Sequence, residues 1–236
     1  MSVSTTTVSS GNGFATHAFW ERLWRTSGLL FVGLFIVTFI IYGYQPPLGA
    51  SADDLTAFYS GDRTRVLISA FLSGLNLLNL LWFMAALRAA LAEAGQDGWG
   101  AAAIVSSAAF AALSLLQIAV AAALAYSIAR AGDGAVTSAL NDFSWALIVL
   151  TSFPRAMMIM AGAFGLWRAG LVSNTIFAAG VAAVVLAVLG GSAWLTGSWA
   201  PDGAYSRFIS PTLLLIWLLV LSRVLLGKSP AGRTGW

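Results

Sequence analysis

The sequence predicts an all-α polytopic membrane protein, a bundle of six transmembrane helices. Only 9% of the 236 residues are charged, whereas 59% are hydrophobic, and the mean hydropathy is +0.85. Soluble proteins carry about 25% charged residues, so a surface this poor in charge suits lipid better than water. These figures disfavour a soluble enzyme and a disordered chain. The net charge of +3 is also too small for a phosphate-tracking surface, so no nucleic-acid partner is expected.

Six continuous apolar stretches are long enough to cross the bilayer as helices, which takes about 20 residues each. Membrane β-strands would instead alternate in hydrophobicity over about 10 residues. We expect one transmembrane domain over 16–227, between a flexible cytoplasmic tail at 1–15 and a second cytoplasmic tail at 228–236. The predicted spans cover residues 27–44, 66–87, 101–124, 144–167, 172–195 and 208–226.

The segments around these spans carry further signals. Residues 17–25 combine aromatic and basic side chains, which suits either a short interfacial helix or an anchoring collar on the first span. In the first loop, Ser51 and Asp54 form a capping box, and Leu55, Phe58 and Tyr59 follow at helical spacing. We therefore expect a short amphipathic helix resting on the outer membrane surface.

The composition of the spans predicts their packing positions. The third and fifth spans are rich in alanine and glycine, and small residues let helix backbones approach closely. The first and sixth spans carry larger apolar side chains. We therefore expect the third and fifth spans to be central, and the first and sixth to face lipid or a partner.

The distribution of charge predicts the orientation. With six spans both termini share one side, which carries seven basic and three acidic residues, whereas the other side carries four basic and six acidic residues. Basic residues concentrate on the cytoplasmic side of membrane proteins. Both termini are therefore predicted to be cytoplasmic, in the cytoplasmic (inner) membrane of a bacterium.

Missing residue types exclude much membrane chemistry. The chain has no cysteine, a single histidine (His17) and a single lysine (Lys228), and both of these lie outside the spans. No carboxylate lies in the core of a span, where proton-coupled pumps usually place one. We therefore expect no catalytic residue, no metal site and no cofactor.

Arg155 is the one charge inside a predicted span. It lies about 11 residues into 144–167, near the middle of the bilayer, where a charge costs about 2.5–3.5 kcal/mol on insertion scales. The preceding Pro154 releases a backbone carbonyl one turn earlier. Ser144, Thr151, Arg155 and Gly162 form one stripe on a helical projection, which indicates a buried face.

Amide and hydroxyl side chains at a similar depth are the candidate partners of Arg155. Asn76 and Asn79 lie about as far into the second span as Arg155 lies into the fourth, and these two spans run in the same direction. The antiparallel third span offers Ser114 and Gln117 on one face. These five residues are the predicted lining of a polar, ligand-binding cavity.

Three hypotheses account for Arg155. In the first it is structural, bonded to the amides and to carbonyls released by Pro154. In the second it lines an outward-opening cavity and binds an anionic ligand or lipid headgroup. In the third its carboxylate partner lies on another subunit, in a homo-oligomer or a membrane-protein complex. In the second hypothesis the residues nearer the mouth would be Tyr42, Asp142, Ser192 and Arg207.

Three short motifs carry a resemblance to a known group of proteins. The run 24–28 (WRTSG), the motif Leu55-x-x-Phe58-Tyr59 with Arg63, and the run 81–83 (LWF) resemble those of small integral membrane proteins of unknown function common in actinobacteria. The resemblance implies a multi-helix inner-membrane protein and supplies no activity. The function expected first is a non-enzymatic accessory, scaffolding or assembly component of the membrane. The alternative is a binder or transporter of a lipid or small ligand with a cavity around Arg155.

Overall fold

The computed structural model describes the backbone of residues 17–227 and the side chains of residues 26–227. The two predicted tails and the side chains of residues 17–25 lie outside the described residues. Between 17 and 227 the chain forms helices and loops without a strand, as predicted. The main helices are α1 (His17–Tyr42), α2 (Ala52–Thr56), α3 (Arg63–Glu93), α4 (Asp97–Ala123), α5 (Gly134–Leu150), α6 (Ser152–Arg168), α7 (Asn174–Gly190) and α8 (Ser210–Gly227).

Short π-helical turns, in which the backbone bonds skip one residue more than in an α-helix, extend several of these helices. They cover Ala57–Gly61, Leu124–Ile128 and Tyr205–Ile209. With the turns included and α5 and α6 taken as one segment, four segments of the described chain are long and apolar enough to cross a membrane: Arg63–Glu93, Asp97–Ala131, Gly134–Arg168 and Tyr205–Gly227.

Two further apolar helices match the first and fifth predicted spans: α7 (Asn174–Gly190), and Thr26–Tyr42, the part of the 26-residue α1 whose side chains are described. At a rise of 1.5 Å per residue, the 17 residues of α7 cover about 26 Å, which is near the lower limit for a crossing. The structure therefore confirms an all-helical chain with several membrane-compatible helices. The count of six crossings stays a prediction.

The fourth predicted span is the second part of a longer, interrupted segment. Regular α-helix stops at Leu150 and resumes at Ser152, two residues before Pro154, which contributes no backbone N–H. The predicted stripe of Ser144, Thr151, Arg155 and Gly162 is buried along its whole length. The prediction of a buried face is therefore confirmed.

The α5–α6 segment, and not the alanine-rich spans, forms the centre of the bundle. In its apolar stretch 61% of the residues are buried, against 28–39% in the other three long segments. Helix α6 contacts α3, α4, α7 and α8. The prediction that the fifth span is central is wrong, because α7 packs mainly on α6 and α8 and buries only Gly180, Ala187 and Gly190. The third span, α4, packs on α3, α5 and α6, but only 28% of its apolar stretch is buried.

The loop end of the bundle, where α1 ends and the Tyr205–Gly227 segment begins, is called the distal end. Ser51 caps α2 by accepting a bond from the Asp54 backbone N–H at 3.1 Å, as predicted. Leu55 and Tyr59, however, are fully buried against the end of α4 and the turn that follows it. This short helix therefore packs its apolar side chains into the bundle, and its position relative to the membrane surface stays a prediction.

Candidate functional site

A cavity of about 250 Å³ lies in the distal half of the bundle. Its wall comes from α1, α3, α4, the α5–α6 segment, the start of α8 and the loop after α1. Most of the wall is apolar, and a limited set of polar groups enters it, as in small-molecule sites. Those polar residues are Thr38, Tyr42, Tyr44, Gln45, Ser69, Ser73, Asn76, Ser114, Gln117, Thr151, Arg155, Ser206 and Arg207.

Arg155 lies in this wall with 5% of its surface exposed. Its Nη2 donates a 2.9 Å hydrogen bond to Thr151 Oγ1, and the Thr151 hydroxyl donates in turn to the Ile148 carbonyl at 2.6 Å. The Nε and Nη1 atoms of Arg155 make no hydrogen bond to any described residue. The Phe110 ring lies 5.7 Å from the guanidinium carbon, a cation–π contact that attracts the charge without neutralising it.

The charge of Arg155 is uncompensated within the described part of the chain, where no carboxylate forms an ion pair with it. A guanidinium stays protonated in proteins. A buried charge without a partner is strongly destabilising. The cavity wall therefore contains a positive charge, and two donor atoms of that guanidinium have no partner among the described residues.

Four of the five predicted cavity residues line this cavity: Asn76, Ser114, Gln117 and Arg155. Asn76 is buried, and its Oδ1 also lacks a hydrogen-bond partner in the described chain. Asn79 lies outside the lining, and its amide donates to the carbonyl one turn earlier in its own helix at 3.2 Å. Three residues rotate an α-helix by about 300°, so Asn79 points about 60° away from Asn76. A ligand-binding role for these residues stays a prediction.

The hydrogen bonds that Arg155 makes differ from those that the structural hypothesis expected. Its hydrogen bond goes to Thr151, four residues earlier in the same segment. Because Nε and Nη1 have no partner among the described residues, neither atom bonds to the amides of α3 and α4 or to a carbonyl released by Pro154. The hydrogen bonds of this guanidinium therefore do not tie three helices together.

A buried hydrogen-bond network closes the distal end above the cavity. Asn141 accepts from the Tyr59 hydroxyl at 2.9 Å and from Gln45 Nε2 at 3.4 Å. Its own Nδ2 donates to the carbonyls of Pro46 at 3.4 Å and Pro47 at 3.2 Å. These bonds hold residues 43–50, the cap loop, against α5.

Burial in this network raises the pKa of the Tyr59 phenol well above its usual value of 10.0, chiefly through desolvation and secondly through the neighbouring Tyr42. The folded state therefore favours the neutral phenol. Its contribution to stability is complete below about pH 10, the pKa of an unfolded tyrosine, and is lost as the pH rises above that value. At neutral pH Tyr59 is a hydrogen-bond donor.

Arg207 joins the cap loop to the start of α8. Its guanidinium lies between the rings of Tyr44 and Trp145, with the guanidinium carbon 3.9 and 4.5 Å from the two centroids. Its Nη1 donates to the Gln45 carbonyl at 2.9 Å, and its Nε donates to the Asp202 carbonyl. Two of its three nitrogens thus donate hydrogen bonds within the protein, and they hold the cap loop against the segment that precedes α8.

The cavity opens on one side of the bundle. Three of its lining residues are exposed, namely Phe39 near the end of α1, Tyr44 in the cap loop and Phe208 in the turn before α8. We call these three residues the mouth. Gly28 in the middle of α1 lies against Ser222 near the end of α8, so the two helices are in close contact there. The exposed lining residues therefore place the mouth on the side of the bundle between the end of α1 and the turn before α8.

Part of the mouth region was predictable from sequence, whereas the cap was missed. Tyr42 and Arg207 line the cavity as expected, but Asp142 and Ser192 do not. The cap residues Gln45 and Asn141 were not among the predicted site residues. The sequence could have indicated them as site residues, because both are uncharged polar residues beside apolar stretches, and Gln45 directly precedes two prolines.

Comparison with known proteins adds no family. No protein-family model matches the chain, and neither the curated proteins nor the solved structures contain a match. The geometry of the cavity is therefore the basis for any functional proposal.

Proposed function

We propose that this chain is a multi-pass protein of the bacterial cytoplasmic membrane that binds a small anionic ligand at Arg155. The observation that carries the proposal is a buried guanidinium in a cavity wall, with no counter-charge and two unbonded nitrogens among the described residues. A carboxylate or phosphate would supply both the missing charge and strong hydrogen-bond acceptors. The apolar walls would strengthen this attraction by lowering the local dielectric constant.

Binding is favoured over catalysis by the composition of the lining. Over residues 26–227, the cavity wall contains no aspartate, glutamate, histidine, lysine or cysteine. Its serine and threonine hydroxyls therefore lack the neighbouring general base that would activate them as nucleophiles. Its polar groups are amides, hydroxyls and arginine. Such groups orient and hold a ligand, which suits a binding or transport role.

The other hypotheses for the chain carry less weight. A carboxylate from another subunit would have to reach a guanidinium that is 5% exposed through the mouth. An accessory or assembly role, the function expected first from sequence, remains compatible with ligand binding. The resemblance to actinobacterial membrane proteins supports the location alone.

The proposed topology has six crossings with both termini in the cytoplasm. The contact between Gly28, near the start of the first predicted span, and Ser222, near the end of the sixth, supports an even number of crossings. We expect reporter tags at the two termini to be accessible from the cytoplasm, and a tag inserted at Gly132 to be accessible from outside. A C-terminal tag found outside would contradict this topology.

Substitution of Arg155 tests the binding proposal. We expect purified wild-type protein in non-ionic detergent to bind hexanoate or hexyl phosphate in isothermal titration, and R155M to bind at least tenfold more weakly because the counter-charge is lost. R155K should retain part of the affinity, since it keeps the charge but not the fork of donors.

The matched control is R130M, because Arg130 is exposed and lies outside the cavity. It should bind like the wild type. Equal binding by R155M and wild type, or no binding of either probe by wild-type protein, would contradict the proposal.

A further inference from the structure

We infer that the ligand is a single-chain anionic lipid, which reaches Arg155 from the bilayer through the mouth between α1 and α8, with its tail left in the mouth. The inference rests on the proposed anion site at Arg155. It adds the class of the ligand and its route. Three features of the described chain support it: the closed cap, the apolar surroundings of the mouth and the small cavity volume.

The cap closes the route from water at the distal end. The cap loop is held by Asn141 through Tyr59 and Gln45, and by Arg207 stacked between Tyr44 and Trp145. Opening this end would break several buried hydrogen bonds at once. Access through the mouth breaks none of them.

The mouth opens on an apolar surface. All three exposed lining residues are aromatic, and the neighbouring exposed side chains of α1 and of the turn before α8 include Ile36, Ile40 and Ile209. Both flanking helices are among the apolar helices of the chain. In the predicted topology Tyr44 ends the span 27–44 and Phe208 begins the span 208–226. The mouth would then lie at the outer edge of the bilayer, where the molecules that meet it are lipids.

The polar groups and the volume of the cavity define the headgroup. Besides Arg155, the lining residues Asn76 and Thr38 are buried, and each has a side-chain oxygen without a hydrogen-bond partner in the described chain. The cavity of about 250 Å³ lies below the range of about 300–1,000 Å³ typical of drug-sized ligands. It therefore accommodates an anionic headgroup with a short part of the chain. The remaining tail would leave the cavity through the mouth.

The first arm of the test is photo-crosslinking of lipids to the wild-type protein. Wild-type protein in nanodiscs is irradiated with palmitic acid, the matching lysophosphatidic acid or hexadecanol, each carrying a diazirine in its tail. We expect at least one acid to crosslink to α1 or to the Tyr205–Gly227 segment near the mouth, at least tenfold more than the alcohol. The two acids distinguish a carboxylate from a phosphate headgroup. This preference should disappear in R155M.

The second arm of the test blocks the mouth with a label. Because the sequence has no cysteine, a maleimide reacts only with a cysteine introduced by mutation. F208C labelled with a bulky maleimide should lose at least tenfold of the acid crosslinking. L116C, labelled in the same way, should keep it, because Leu116 is also exposed and apolar but lies outside the cavity lining. Retained crosslinking in labelled F208C, or equal crosslinking of acid and alcohol in wild-type protein, would overturn the inference.

The two proposals fail differently. Arg155-dependent binding of hexanoate or hexyl phosphate without crosslinking of either acid near the mouth would leave the anion site intact and remove the lipid route. If wild-type protein binds neither hexanoate nor hexyl phosphate, the proposed anion site itself is contradicted.

Discussion

Replacing Asn141 with leucine is expected to lower the free energy of unfolding by about 3–5 kcal/mol. Leucine has nearly the shape of asparagine but cannot hydrogen-bond. The Tyr59 hydroxyl and Gln45 Nε2 would lose an acceptor, and the carbonyls of Pro46 and Pro47 would lose a donor. Gln45 Nε2 keeps its bond to Ser144, and the Pro46 carbonyl keeps its bond from Trp145. The cost therefore falls on the Tyr59 hydroxyl and the Pro47 carbonyl, at about 1–3 kcal/mol for each buried group without a partner.

The control for this change is N79L. It replaces the same side chain by the same residue, but Asn79 is only partly buried, and its side-chain amide hydrogen-bonds within its own helix. We expect a change within about 0.5 kcal/mol. The measurement is unfolding by SDS in mixed micelles, followed by far-ultraviolet circular dichroism. Equal midpoints for N141L and N79L would show that the cap network contributes little to stability.

The second large effect is expected at Gly180, where α7 meets α6 and α8. A Cβ atom at this position would lie 2.7 Å from the Trp217 ring and 2.8 Å from the Ala163 Cβ. Gly180→Leu should therefore push α7 away from its neighbours and cost about 3 kcal/mol. The same unfolding experiment measures the loss.

A matched control and a double mutant make this prediction specific. Gly74→Leu introduces the same side chain in α3, where an added Cβ meets no described atom within 4 Å, and should be neutral or slightly stabilising because leucine favours helix. In a double-mutant cycle, Trp217→Ala should cost less in the Gly180→Leu background than in the wild type, since it relieves the clash. Strict additivity of the two changes would contradict the close contact.

The candidate site was predictable from sequence as far as depth along each helix could determine it. Arg155 stood out because a charge in a predicted span needs a protein or water environment. Asn76, Ser114 and Gln117 were placed beside it by their depth in neighbouring spans. Asn79 was placed there for the same reason, but depth does not give the rotation of a helix about its axis.

The packing order was harder to predict than the helices. Alanine and glycine in α7 indicated a central position, yet only one face of that helix uses small residues for close contact. The short helix α2 was expected on the membrane surface, because its apolar side chains suit lipid as well as protein. Leu55 and Tyr59 are buried by the end of α4, a contact between segments far apart in the sequence.

The sequence by itself determined the class of this protein, because a chain with 9% charged residues and long apolar runs can satisfy its backbone in lipid only as helices or a closed barrel. It also singled out Arg155 through the energetic cost of a charge in a span. Only the tertiary structure decided that two nitrogens of this guanidinium stay unbonded, within the described chain, in a cavity that opens sideways beneath a closed cap. The physical reason is that helix rotation and packing depend on contacts between distant segments, which local hydrophobicity does not encode.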